Sequence, residues 1–240
     1  MGDHVTFLLE KLPSLLIGFP GQRPGGLALS ILLALVGVGL GFVIAIPISS
    51  GYESRWPPLH WLCRLYVELF RGLPLILLLI LMHQVVGSRR FGLDLSPRAS
   101  ALMALALYSG AYQTEIMRSG LRSVPSQLVE SARLMGSTPW QLYRLVKLRY
   151  AFRVMLPAFT GQAISLFKDT SVVIIIGVAD LMTVARAALG SDVTNTPYWV
   201  SLYLMVGLLY FGVAFSLSQL AQSWERRTRS GDLVHSLANY

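Results

Sequence analysis

The chain has 240 residues, of which 54% are hydrophobic and 13% are charged. Because soluble domains carry about 25% charged residues, this composition excludes an ordinary soluble domain and indicates a membrane protein. The net charge of +8 would favour a nucleic-acid partner in a soluble protein, but here we assign it to basic loops beside a lipid bilayer and expect no nucleic acid.

Five segments of the chain are apolar enough to span a bilayer, since a spanning helix needs about 20 mainly apolar residues. They lie at about 26–50, 62–86, 96–116, 155–176 and 198–224. What remains is too short for a soluble domain, so we predict a single transmembrane domain over residues 1–240. The predicted fold class is an all-α integral membrane protein with about five transmembrane helices.

The distribution of Lys and Arg predicts the orientation, because cytoplasmic loops are enriched in both. With the N-terminus outside, twelve of these residues fall on inner segments and six on outer segments. This predicts an N-terminal periplasmic segment 1–25, a cytoplasmic loop 118–153 and a cytoplasmic tail 225–240. The N-terminus lacks the pattern of a cleaved signal peptide, so we expect it to be retained.

The single cysteine, Cys63, excludes a disulfide framework and a multi-cysteine metal site, and the four histidines lack ligand spacing. We therefore expect no metal site. Between the fourth and fifth predicted spans, residues 180–189 fit a short amphipathic helix that ends at Gly190 and lies at the outer interface.

The cytoplasmic loop contains strong local signals for two short helices. Pro125 suits the first turn of a helix, and Gly136 suits the left-handed residue that ends one. Thr138 and Gln141 form a capping box that begins the next helix. We predict a helix, a sharp corner and a second helix. Periodicity alone leaves two roles open: docking of a soluble partner, or an amphipathic helix on the lipid headgroups.

The order of residues in this loop resembles the EAA loop of ATP-binding-cassette (ABC) importer permeases. That pattern is Glu-Ala-Ala, three residues, Gly, nine residues and Ile-x-Leu-Pro. The chain has Glu130-Ser131-Ala132, then Gly136, then Val146-x-Leu148 at the same spacing. Ser131 replaces the first alanine. Arg149 replaces the final proline, which removes a kink before the fourth span.

Other motifs are similar to the polar-amino-acid branch of this family, the permeases of histidine, glutamine, glutamate and arginine importers. The resemblance covers residues 27–224. Its motifs are Phe70-Arg71-Gly72-Leu73-Pro74, Gly110-Ala111-Tyr112-x-x-Glu115-Ile116-x-Arg118-x-Gly120, Ser123-Val124-Pro125, Leu156-Pro157, Ile164-Ser165-Leu166-x-Lys168-Asp169-Thr170-Ser171 and Ile176-Gly177-Val178-Ala179-Asp180-Leu181.

The resemblance implies the type I ABC importer permease fold in the inner membrane, paired with a second permease subunit that is identical or related. It implies an amino-acid-binding protein outside and a cytoplasmic ATPase dimer that binds ATP and Mg²⁺. The chain contains no Gly-x-x-x-x-Gly-Lys-Ser/Thr loop, so we expect no enzymatic activity and no cofactor on it. Expected coupling residues are Glu130, Ser131, Ala132, Arg133 and Gly136.

The fourth predicted span carries a polar stripe, and charges inside spans usually face a cavity or a partner. Gly161, Gln162, Ser165, Lys168 and Asp169 lie three and four residues apart. We predict that the stripe lines a substrate pathway, with Lys168 meeting a carboxylate and Asp169 an ammonium group. The full predicted pathway set is Lys168, Asp169, Thr170, Ser171, Arg71, Gln162, Ser165 and Glu115.

Alternatives remain for these charges and for the function. Lys168 and Asp169 can instead pair with Glu68, Arg71 or Glu115, and Arg71 can extend to the inner interface. The predicted function is ATP-driven import of a polar or charged amino acid by alternating access. The alternatives are another small solute, an ATP-independent channel or exchanger, or an intramembrane enzyme that uses Asp169 or a histidine.

Overall fold

The structure, a computed structural model, describes residues 2–19, 24–89 and 93–237. The predicted segments 1–25 and 225–240 fall partly outside these ranges. The described residues form helices and no β-strand. The helices are α1 Gly2–Ile17, α2 Gly26–Tyr52, α3 Pro57–Gly72, α4 Leu75–Val86, α5 Pro97–Arg122, α6 Ser126–Leu134, α7 Pro139–Ile176, α8 Leu181–Gly190 and α9 Trp199–Leu237.

Within the described ranges, three helical segments are long and apolar enough to cross a membrane, or four if one bent pair counts as a span. The three are α2, α7 and Val193–Glu225, which includes the start of α9. The predicted span 96–116 lies in α5, whose 26 residues extend about 39 Å and suffice in length. It is less apolar than the other three, and it carries buried polar residues such as Gln113 and Thr114.

The predicted span 62–86 falls on two helices, α3 and α4, which are together apolar enough to cross a membrane. The chain bends by 108° between α3 and α4. Pro74 explains the position of the break, because a proline disfavours helical geometry in the residue before it. Leu73 accordingly has an extended backbone with ψ 136°, and α3 ends at Gly72.

Helices α2 and α5 are packed closely through glycine. A Cβ atom on Gly41 would lie 2.8 Å from the Cβ of Ser109 and 2.9 Å from the backbone nitrogen of Gly110. No side chain fits in that space, so the two backbones approach each other as small residues allow in membranes. This contact brings α5 close to α2.

A polar cluster connects the elements at the predicted outer end. Asp180, fully buried, caps α8 by accepting hydrogen bonds from the backbone N–H groups of Thr183 at 2.9 Å and Met182 at 3.2 Å. The Tyr210 hydroxyl of α9 donates to Asp180 at 3.3 Å. Burial raises the pKa of the Asp180 carboxyl, while these hydrogen bonds oppose the rise. The predicted helix 180–189 is confirmed as α8.

Helix α7 is continuous over 38 residues and joins the predicted cytoplasmic loop to the fourth predicted span. It contains a π-helical turn at Leu142–Lys147, then α-helical residues Leu148–Asp169, and it ends in the 3-10 helix Thr170–Ile176. Arg149 stands where the family pattern has proline. Because arginine keeps its backbone N–H, the helix passes from the loop into the fourth predicted span without a break at this residue.

Helix α9 presents a large apolar face to its surroundings. Its exposed side chains include Leu204, Leu208, Phe211, Phe215 and Leu220, each more than half exposed. Such a face is stable against lipid hydrocarbon and costly against water. The polar and small residues are instead concentrated where α5 and α7 face each other.

Candidate functional site

Helix α6 ends in a Schellman motif, as the sequence predicts for Gly136. The N–H of Ser137 donates to the carbonyl of Ala132 at 3.1 Å, and the N–H of Gly136 donates to that of Arg133 at 3.0 Å. Gly136 has φ +78°, the left-handed conformation that this motif requires. A Cβ on Gly136 would meet no atom within 4 Å, so its need for glycine is conformational and not steric.

The capping box beyond the corner is also confirmed. The Thr138 hydroxyl accepts from the N–H of Gln141 at 3.3 Å, and the Gln141 side chain accepts from the N–H of Thr138 at 2.9 Å. Pro139 occupies the first turn of α7. Pro125, expected inside the first turn of α6, instead lies one residue before it, in extended geometry. We call residues 126–141 the inner corner.

The inner corner exposes large apolar side chains. Leu134 is 90% exposed and Met135 is 86% exposed, and both lie at the tip beside Gly136. Trp140 is 66% exposed and stacks near Tyr143. No residue of α6 is buried. A segment that exposes several large apolar side chains is typical of an interaction surface.

The predicted coupling residues all lie on this exposed segment. Glu130, Ser131 and Arg133 are exposed on α6, Ala132 is half-buried, and Gly136 is exposed at the turn. The sequence analysis did not single out Leu134 or Trp140. The sequence could have indicated both residues, because each is a large apolar residue close to the predicted turn in a mainly polar loop.

A polar cavity of about 350 Å³ lies between α5 and α7. Tyr108, Tyr112 and Ile116 of α5 form one wall, and Gly161, Gln162, Ser165 and Asp169 of α7 form the other. Three residues of the predicted pathway set, Gln162, Ser165 and Asp169, are therefore brought together as lining residues. The tyrosines were not predicted as part of the pathway.

A chain of hydrogen bonds holds the cavity wall in place. Gln162 lies 3.3 Å from the hydroxyl of Ser109, which also accepts a 2.8 Å hydrogen bond from the buried side chain of Gln113. Gln113 in turn donates to the carbonyl of Val38 on α2 at 3.0 Å. These bonds connect α2, α5 and α7 behind the cavity, so the Gln162 side chain is fixed by its neighbours.

The remaining pathway residues of α7 lie away from this cavity. Lys168 is exposed and is not one of the lining residues. Thr170 is fully buried, and its hydroxyl donates to the carbonyl of Phe167 at 2.7 Å. Ser171 is half-buried in the 3-10 helix that follows. The change from α to 3-10 geometry after Asp169 ends the predicted stripe, because it alters the angular spacing of side chains.

Arg71 and Glu115 lie together, in a group of charges on α3 and α5. Arg71 Nη1 lies 3.7 Å from Glu115 Oε2, and Arg118 Nη2 lies 2.7 Å from Glu115 Oε1. The two arginines also lie over aromatic rings, Arg71 over Tyr112 at 5.4 Å and Arg118 over Tyr52 at 4.4 Å. Tyr112 thus separates this charged group from the polar cavity that it lines.

Residues 37–230 match the family of binding-protein-dependent transport system inner membrane components. The chain belongs to this family. It is a permease component and a multi-pass protein of the inner membrane, and the resemblance carried by the EAA-like loop is confirmed. The hypotheses of a channel, an exchanger or an intramembrane enzyme have no support in this match.

Individual relatives agree with this assignment. The glutamate/aspartate import permease GltK of Escherichia coli O6:H1 is 32% identical over 209 residues, covering 85% of this chain and 92% of the relative. The probable glutamine ABC transporter permease GlnP of Bacillus subtilis is 31% identical, covering 84% and 91%. A crystal structure of an amino acid ABC transporter with histidines matches with TM-score 0.79 and 26% identity, covering 94% of this chain and 97% of that chain.

Proposed function

We propose that this chain is the permease of an importer for a polar or charged amino acid, and that it carries substrate by ATP-driven alternating access. The observation that carries the proposal is the inner corner, with Leu134 and Met135 almost fully exposed on a loop of a family that works with other subunits. The names of the relatives, which include glutamate/aspartate and glutamine permeases, favour amino acids over other small solutes.

The inner corner is the coupling helix of this proposal and inserts into a groove of a cytoplasmic ATP-binding-cassette ATPase. Leu134 and Met135 lose their exposed apolar surface there, and Glu130 and Arg133 contact charged groups at its rim. Gly136 forms the corner that presents α6 to the ATPase. ATP and Mg²⁺ bind to the ATPase dimer, and hydrolysis takes place on that separate subunit.

The polar cavity is the place where the substrate is held. Asp169 offers a carboxylate to the α-ammonium group, and Gln162 and Ser165 offer hydrogen-bonding groups to the rest of the molecule. Tyr108 and Tyr112 add aromatic faces that attract a cation. A volume of about 350 Å³ is at the lower end of the range for small-molecule sites, which suits a single amino acid.

Lys168, Thr170, Ser171, Arg71 and Glu115 act around the cavity instead of lining it in this conformation. Arg71 and Glu115 form a pair that can separate when the permease changes state. Lys168 lies on an exposed face of α7, next to Asp169, and is available to a substrate carboxylate or to a second permease subunit. An exposed lysine at this depth needs such a partner, because lipid hydrocarbon does not solvate charge.

The orientation is N-terminus outside and C-terminus inside, with the inner corner in the cytoplasm. A second permease subunit, the same chain or a related one, completes the membrane unit, and an outer binding protein delivers the amino acid. ATP binding must favour the outward-facing state by a few kcal/mol for the population to change. The paired coupling helices transmit that preference as rigid elements.

Cysteine crosslinking of the assembled transporter tests this proposal. Ser137→Cys in a Cys63→Ser background places one thiol in the inner corner, and Val193→Cys on the outer side is the matched control. We expect Ser137→Cys to crosslink to an ATPase subunit, and liposomes to accumulate labelled amino acid with ATP on the ATPase side. If the inner corner reacts only with phospholipid, or uptake persists without the ATPase, the proposal is wrong.

A further inference from the structure

A second cavity, of about 710 Å³, lies between α2, α5 and the beginning of α7. It is twice the size of the polar cavity and shares no lining residue with it. Its lining residues are Phe42, Ile46, Ser49, Ser50, Met117, Leu121, Tyr143, Arg144, Leu148, Arg149, Phe152, Arg153, Met155 and Phe159. Neither the substrate pathway nor the coupling role uses it.

The charged residues that line this cavity are arginines on the first part of α7, up to Arg153. Arg144 and Arg149 are exposed near the start of α7, and Arg153 lies one turn further along. No Asp or Glu lines the cavity. Within the described part of the chain, Arg144 and Arg149 form no ion pair with a carboxylate. This part of the cavity is therefore positively charged and suits a ligand that carries negative charge.

The other end of the cavity is apolar. Phe42 of α2 packs edge-on against Phe159 of α7, with ring centroids 5.8 Å apart, and Phe152 and Ile46 continue the wall. From Arg149 to Phe159 the helix advances about 15 Å, at 1.5 Å per residue. That distance equals half of a hydrocarbon core about 30 Å thick, the depth of one leaflet.

We propose that this cavity binds one anionic phospholipid of the inner leaflet. Its phosphate lies between Arg144 and Arg149, and an acyl chain follows the apolar wall toward Phe42 and Phe159. Basic pockets between membrane helices on the cytoplasmic side are suited to anionic headgroups. The assignment to the inner leaflet rests on the orientation given in the proposed function. The positions of the arginines and of the apolar wall do not depend on that orientation.

The proposal also gives a role to the departure of this chain from the family pattern. Arg149 replaces proline, and at this position it supplies a guanidinium at the mouth of the cavity while leaving α7 unbroken. Arg144 lies in the π-helical turn, where the spacing of side chains differs from that of an α-helix. Both residues follow directly from the inner corner, so the lipid headgroup lies beside the coupling element.

Native mass spectrometry of the assembled transporter, purified in detergent, tests this site. Phosphatidylglycerol and phosphatidylcholine with identical acyl chains are added separately, so that the headgroup charge is the variable. We expect the wild type to retain phosphatidylglycerol in preference. The double substitution Arg144→Gln and Arg149→Gln should lower that preference by roughly 30-fold, since two basic groups near the headgroup are lost. Arg64→Gln, an exposed arginine outside the cavity, is the matched control and should leave it unchanged.

A second variant keeps the test valid if the double variant fails to assemble. Ile46→Trp fills part of the apolar wall and keeps every charge, so it should reduce retention of both lipids. Equal retention of the two lipids by the wild type, or the same loss in the Arg64 control, would overturn the proposal. Retained phosphatidylglycerol without import of any amino acid would contradict the proposed function and leave this lipid site in place.

Discussion

The inner corner and the polar cavity depart from the usual distribution of residues in opposite ways. At the corner, apolar side chains such as Leu134 and Met135 are exposed on a polar loop. In the cavity, polar side chains such as Gln162 and Asp169 line a space within membrane-embedded helices. Each arrangement costs free energy in the isolated chain, and the proposed function completes the first with a protein partner and the second with a ligand.

The two regions also differ in how they are held. The inner corner is shaped by hydrogen bonds between residues that are close in sequence, such as Ser137 to Ala132 and Gln141 to Thr138. The cavity wall depends on distant partners, such as Gln162 with Ser109 and Gln113 with Val38. Substitutions at the corner should therefore act locally, whereas substitutions behind the cavity should disturb helix packing.

The largest expected effect is that of Gly136→Pro. Proline fixes φ near −65°, whereas this residue has φ +78°, and its missing N–H removes the hydrogen bond to Arg133. We expect the protein to insert normally and to lose ATP-coupled uptake by about 100-fold or more, because the corner cannot form. Gly136→Asn is the control, since asparagine tolerates the left-handed conformation, and it should retain most uptake. Normal transport by the proline variant would refute the coupling role.

Next in size is the effect of Leu134→Ser combined with Met135→Ser. Burial of such a side chain in an interface contributes about 1.5–3 kcal/mol, so the pair should weaken ATPase binding by at least about 100-fold. Co-purification and titration with the isolated ATPase measure the change. Val193→Ser changes an 88% exposed apolar residue on the side proposed to face outward; it is the control and should have no effect. If the inner corner only lies on lipid, the double variant and the Val193→Ser control should bind the ATPase with the same affinity.

A smaller effect is expected from substitutions at Asp169, which lines the polar cavity, and at its neighbour Lys168, which does not. Asp169→Asn removes the carboxylate that lines it, and we expect uptake to fall about tenfold at low substrate concentration, with a raised KM. Lys168→Ala should weaken uptake by about threefold, because Lys168 does not line the cavity. Assembly should be unchanged in both variants. The reverse order of effects would place the substrate on the exposed face of α7 instead.

The smallest effect concerns the pair of Arg71 and Glu115. Their side chains are 38% and 24% exposed, and partly exposed ion pairs contribute about 0.2–1 kcal/mol. A double-mutant cycle with Arg71→Gln and Glu115→Gln, read by thermal unfolding in detergent, should give a coupling energy within that range. A pair that locks one transport state should also alter the uptake rate non-additively. If the two substitutions have additive effects on both stability and uptake, neither residue has a role in gating.

The inner corner could be predicted almost completely from the sequence, and the cavity only in part. Gly136, Thr138 and Gln141 specify their own backbone geometry through bonds that span a few residues, so local rules are sufficient. The stripe Gln162, Ser165 and Asp169 was visible from helical spacing. Its opposite wall, Tyr108 and Tyr112, was not, because spacing on one helix does not reveal which helix faces it.

The sequence by itself determined the membrane class, the family, the geometry of the inner corner and the short helix after Asp180, since each rests on composition or on contacts between near neighbours. The tertiary structure alone decided the angle of 108° at the break that Pro74 positions, the pairing of Arg71 with Glu115, and the position of Lys168 outside the cavity. These features depend on how helices distant in the chain pack together. In this chain that packing is set by close approaches such as Gly41 against Gly110, which no local pattern encodes.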